Sequence, residues 1–121
     1  MKCTAGLHHP IRHFADEYDA HMHGFINTFG AGAFTSKFPE PRNSEEKFRM
    51  FILLSHMIGE QDANNFGFTD SKMIWKVGDD RETVFEFDAE NIGNCRKKRM
   101  ISYGSCSFQE PIDDLKQLGW M

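Results

Sequence analysis

The chain has 121 residues, 40% of them hydrophobic and 26% charged, with 12 phenylalanines, 7 methionines and a formal net charge of −4. This is the composition of an ordinary folded protein with one modest, aromatic-rich core, and a net negative charge argues against nucleic acid as the direct partner. Three cysteines, Cys3, Cys95 and Cys106, without CxxC spacing argue against a disulfide framework and for thiols in a reducing compartment.

The first distinctive stretch is "HHPIRHFADEYDAHMH", residues 8–23, which holds five of the six histidines. Pro10 suits a first helical position, because the amide hydrogen it lacks would be unpaired there. From Ile11 to Phe29 the apolar residues fall in one stripe at the helical period, and Gly30 offers a stop. The spacing predicts a helix over 10–29. "GAGAFTSKFPEPRN" follows, and its small residues and prolines read as a loop over 30–42 that exposes Phe34 and Phe38. Neither GxGxxG nor a Walker-type loop is present, so nucleotide binding is not indicated.

"NSEEKFRMFILLSHMIGEQ" opens with a capping signal, Asn43 standing three residues before Glu46. Its apolar residues cover most of the circumference, with Ser55 and Gly59 as the gap. Such a helix is either central in the fold or an oligomer interface; the expectation is a central helix, with His56 as a satisfied core residue. "KMIWKV" and "ETVFEF" then read as a hairpin, and "RMISYGSCSF" as a third strand. "PIDDLKQLGWM" predicts a short C-terminal helix. The fold class is α+β: two N-terminal helices, a three-stranded antiparallel meander and a C-terminal helix, in a single domain over residues 1–121.

On the predicted first helix, His9, His13, Glu17 and His21 succeed one another at four-residue spacing, with Asp16 and His23 nearby. His9 and His13 with Glu17 would supply two nitrogens and one oxygen, a set that zinc accepts. HExxH is absent, and on a helix these residues would lie opposite the apolar stripe, without the covering partners that a metal site needs. Zinc therefore stands as the alternative cofactor, and no cofactor is the first expectation.

The segment "GDDRETVFEFDAE" gathers acids. With Phe85 and Phe87 inward, Glu82, Glu86 and Asp88 point outward with Val84; carboxylates two residues apart, as Glu86 and Asp88 are, lie about 6.5–7 Å from each other along the strand, close to the repeat of a phosphate backbone. "CRKKR", residues 95–99, is expected in a neighbouring strand, where it would neutralise part of the row. Without a complete catalytic constellation, the sequence points to a cytoplasmic non-enzyme that binds another protein, itself nucleic-acid-binding, through Glu82, Glu86, Asp88, Phe34 and Phe38. In composition it resembles small antagonists of phages and mobile elements. A metal-dependent hydrolase or metal-binding protein using His9, His13 and Glu17 is the alternative, and a homo-oligomer built on the second helix is a third. No membrane span is expected, since no stretch approaches about 20 apolar residues.

Overall fold

The computed structural model describes residues 7–78, 80–98 and 109–121 in full and, of the rest, the backbone of Lys2–Cys3 and Ser102–Tyr103. Its elements are β1 (Lys2–Cys3), β2 (His13–Ala15), β3 (Ala20–Met22), α1 (Phe25–Lys37), α2 (Ser44–Gly59), β4 (Phe66–Phe68), β5 (Lys72–Val77), β6 (Thr83–Asp88), α3 (Ala89–Lys98), β7 (Ser102–Tyr103) and α4 (Gln109–Gln117). The class is α+β, as expected. Among the described residues no helix is long and apolar enough to cross a membrane.

The β5–β6 hairpin forms where the two-residue period places it, and β4 adds a third antiparallel strand in the order β4-β5-β6. Cross-strand register lines up Phe66, Trp75 and Phe85 in one row and Phe68, Met73 and Phe87 in the next. These rows face one way because side chains alternate along a strand. Trp75 and Phe87 are fully buried, and Phe34 of α1 meets the sheet edge-on, with ring centroids 5.3 Å from Phe85 and 6.5 Å from Trp75.

The central helix is α1, not α2. It packs against α2, α3 and β6, and it buries Asn27, Gly30, Ala31, Gly32, Ala33 and Phe34. The "GAGA" run predicted as loop is thus the tightest part of the core. A β-carbon at Gly30 would sit 2.8 Å from Met57 Sδ and 3.0 Å from Met73 Cε, so α2 and the sheet close on α1 here through the flexible ends of two methionines. Tertiary packing outweighs the poor helix propensity of glycine here.

The predicted helix over 10–29 is helical only from Phe25. Before it the chain forms a short antiparallel pair, β2–β3, in which His13, Phe14 and Ala15 face Met22, His21 and Ala20. A single 3-10 turn at Asp16–Tyr18, ending in the left-handed Asp19 (φ 47°), makes the bend. The chain re-enters the core at Gly24, where a β-carbon would collide with the backbone of Pro10 and Ile11.

The second helix starts where the capping signal places it: Asn43 Oδ1 accepts from the Glu46 N–H at 2.9 Å. The predicted third strand lies outside the described residues apart from Ser102–Tyr103, which pair in parallel with Lys2–Cys3 and not with the meander. Of the basic run, Cys95–Lys98 form the last turn of α3, and Arg99 lies outside the described residues. Cations at a helix C-terminus complement its dipole. The C-terminal helix ends in a left-handed Gly119, with Trp120 N–H donating back to Leu115 O and Gly119 N–H to Lys116 O. Trp120 thereby reaches the edge strand and packs on Phe68 at 4.8 Å.

Candidate functional site

Three surfaces carry the residues singled out by sequence. The acidic strand is exposed as expected, but two of its three carboxylates have local duties. Glu86 Oε2 accepts from Lys72 Nζ at 2.9 Å across the β5–β6 pair, and Lys37 Nζ donates to the Glu86 carbonyl. The Glu86 carboxylate, by hydrogen bond and then by charge, holds Lys72 above its usual 10.5, and Asp88 adds to the effect. Asp88 Oδ1 accepts the Asn91 N–H at 2.8 Å and so caps α3. Glu82 stands in the turn before β6, its N–H donating to Asp80. The partial neutralisation expected from the basic run comes instead from Lys72.

Beside this strand lies an apolar groove of about 530 Å³ between the end of α1, the start of α2 and β6. Phe34 is 2% exposed and forms its floor, a correction to the expected loop anchor. Phe38, half-buried at the C-cap of α1, stacks on Phe34 at 4.6 Å and meets Phe85 edge-on at 5.9 Å. Met50 and Leu53 of α2 form the opposite wall. The rim is charged: Arg42 pairs with Glu46 at 3.0 Å, Arg49 pairs with Glu45 at 2.6 Å, and Glu40 lines it as well.

The predicted histidine ladder does not exist, because its segment is a hairpin. His9, His13 and Glu17 nonetheless line one cleft of about 390 Å³, joined by His8, Tyr18, Met22 and Glu110. The His9 and His13 rings meet edge-on at 4.3 Å. His21 packs on Phe14, and His23 lies 3.1 Å from an Arg12 nitrogen. His56 is exposed on α2, not a core residue.

Sequence reasoning missed the contribution of α4. His8 Nδ1 donates to Glu110 at 3.0 Å, His9 Nδ1 donates to Asp114, and His13 Nδ1 donates to the Ile11 carbonyl at 3.2 Å. Carboxylates and carbonyls only accept, so in each of these bonds Nδ1 is the donor and Nε2 is the ring nitrogen left facing away. Glu110 and Asp114 stand one helical turn apart, the single signal in the sequence that they share a face. Among the described residues no three metal-binding side chains already stand together around one point.

The third surface is the outer side of α2. Met50, Leu53, Leu54 and Met57 turn inward, yet Phe48 is 64% and Phe51 66% exposed, and Ile52 and Ile58 are also exposed. Comparison with family models, with curated proteins and with solved structures finds no match to this chain.

Proposed function

We propose that the protein acts by binding another polypeptide, taking one or two of its apolar side chains into the groove between α1, α2 and β6. The observation that carries this is an open apolar groove walled by Phe38, Met50, Leu53 and Phe85, with both arginines of its rim already paired to glutamates of α2. Such a groove selects shape and apolar area, while a charged small substrate would find no convergent polar groups in it. Glu82 in the turn before β6 and Glu86 on β6 add a negative field that speeds encounter with a basic partner, such as a nucleic-acid-binding protein. Inhibition follows where the inserted segment is one the partner itself needs. A cytoplasmic setting belongs to this reading, with Cys95 buried as a thiol. The test is selection from a random peptide library. Selected peptides should share an apolar anchor, and Met50→Glu should weaken them at least about tenfold with an unchanged melting temperature. Selected peptides that bind Met50→Glu as tightly as the parent protein would sink the groove.

One observation favours a second reading, divalent metal binding at the histidine cleft. Three imidazoles line it with Nδ1 committed to Glu110, Asp114 and a carbonyl, the arrangement in which Nε2 serves as a zinc ligand. The rings would have to rotate to converge. Calorimetric titration with zinc decides it: stoichiometric binding lost in both His9→Ala and His13→Ala supports a site, and no heat ends the reading.

A further inference from the structure

We propose that the outward face of α2 is a self-association surface, on which a second copy of this chain packs with its α2 running antiparallel.

At 100° per residue, Phe48, Ile52, Ser55 and Gly59 lie along the line opposite Met57, with Phe51 and Ile58 on one flank. The inner line is covered by α1 and packs into the hydrophobic core. The outer line and its flank together expose two phenylalanines and two isoleucines on a single helix, an apolar patch of the kind that marks association sites.

The occupant is argued from the pattern itself. A two-fold interface must be complementary to itself, so each large residue has to meet a small one, or its own copy on the axis. An antiparallel pair centred between Phe51 and Ile52 satisfies this. Phe48 then lies over Ser55 of the partner subunit, and Ser44 lies beside Gly59 of the partner subunit. Phe51 meets its own copy on one side of the axis, and Ile52 its own copy on the other.

Two details of the fold agree. The Ser55 hydroxyl already donates to the Phe51 carbonyl at 2.8 Å, so a ring can cover it without stranding a donor. Among the described residues a β-carbon at Gly59 would meet nothing within 4 Å, and its φ is not positive. Glycine is poorly suited to a helix interior, and its smallness at the end of α2 leaves room for a neighbour approaching from outside.

Charge complementarity points the same way. The chain as a whole carries −4, which opposes self-association, but on this flank Glu45 is neutralised by Arg49. Antiparallel packing sets Glu45, near the positive end of its helix, beside His56 of the partner subunit, the basic residue of the last turn.

The experiment is sedimentation equilibrium of the full chain from low to high micromolar concentration, for the parent protein, Phe51→Glu and Ser55→Phe. The parent should be a dimer dissociating in the micromolar range. Phe51→Glu should be monomeric, and Ser55→Phe, which fills the recess, should weaken the dimer at least tenfold, both with unchanged far-ultraviolet circular dichroism. A parent protein that stays monomeric overturns the proposal, as does a dimer unaffected by both substitutions, or a trimer. Peptides selected on the groove should still bind Phe51→Glu, so the two readings fail separately.

Discussion

Asn27 on α1 donates its side-chain amide to the carbonyl of Met57, at 2.8 Å, near the end of α2. The same amide donates to Glu60 O at 2.8 Å, and Asn27 Oδ1 accepts the Arg12 N–H at 2.8 Å. Asn27 is fully buried, so one side chain ties the central helix, the exit of α2 and the N-terminal segment together without water. Asn27→Leu would leave two carbonyls and one N–H stranded. At about 1–3 kcal/mol per orphaned group, partly relieved by local movement, the expected loss is about 3 kcal/mol. A urea unfolding curve measures it; a loss below about 1 kcal/mol would mean that the three backbone groups find other partners.

Two glycines separate rigid from yielding neighbours. A β-carbon at Gly24 would press on the Ile11 carbonyl carbon at 2.5 Å and on the Pro10 carbonyl, which are backbone and cannot swing away. At Gly30 it would meet the flexible ends of Met57 and Met73. Gly24→Ala should cost about 2–3 kcal/mol through strain. Gly30→Ala should come out near neutral, because a helix gains about 1 kcal/mol from alanine while the methionines adjust. Paired thermal melts check the contrast, and equal melting temperatures would refute it.

What was legible in the sequence was local. Asn43 and Glu46 mark the start of α2 within four residues, and the alternation in "KMIWKV" and "ETVFEF" needs only strand geometry. The first helix failed because apolar residues three and four apart also fit two three-residue strands around a turn, and nothing within the segment says that Gly24 must pass against Pro10. "GAGAF" failed for the opposite reason: glycine looked like a break, when it sits in the core of a helix against the ends of Met57 and Met73, far along the chain. The histidine cleft was half legible. His9, His13 and Glu17 do line one cavity, but the carboxylate that engages His9 comes from 105 residues away. The partial burial of α2 also changes the reading of its apolar surround, from a central helix to one with a face to spare.

Acid should loosen the start of α2 and the turn before β4. The Arg42 backbone N–H, and then its guanidinium, hold the Glu46 carboxyl below its usual 4.5; the Asn64 N–H, and more weakly Arg81, hold Asp62 below 3.8. A carboxylate with a depressed folded pKa contributes its full stability above the unfolded value and loses it as pH falls through the folded one. Unfolding midpoints should therefore drop between about pH 5 and about pH 3, and drop less in Glu46→Gln and Asp62→Asn. Identical pH profiles for parent and variants would show that these bonds do not form in solution.

The acidic row can be tested only by choosing among its members, because they are not equivalent. Asp88 Oδ1 holds the Asn91 N–H and Asn91 Oδ1 faces the Asp88 N–H at 3.3 Å, a reciprocal cap on α3. Asp88→Lys should cost about 1 kcal/mol from the lost cap alone, so weaker binding by that variant would be ambiguous. Glu86→Lys would set a second cation against Lys72, whose ammonium Glu86 now holds at 2.9 Å across the strands. Glu82 is exposed, and its hydrogen bond to Asp80 uses only the backbone N–H. Glu82→Lys should leave stability within about 0.5 kcal/mol of the parent. If the negative face guides a basic partner, this variant should lower the association rate severalfold at low salt, with little change in dissociation and less difference in high salt. Stopped-flow association with a basic peptide carrying the groove's apolar anchor measures this directly. An association rate equal to the parent's at low salt would confine recognition to the groove and leave the acids to solubility.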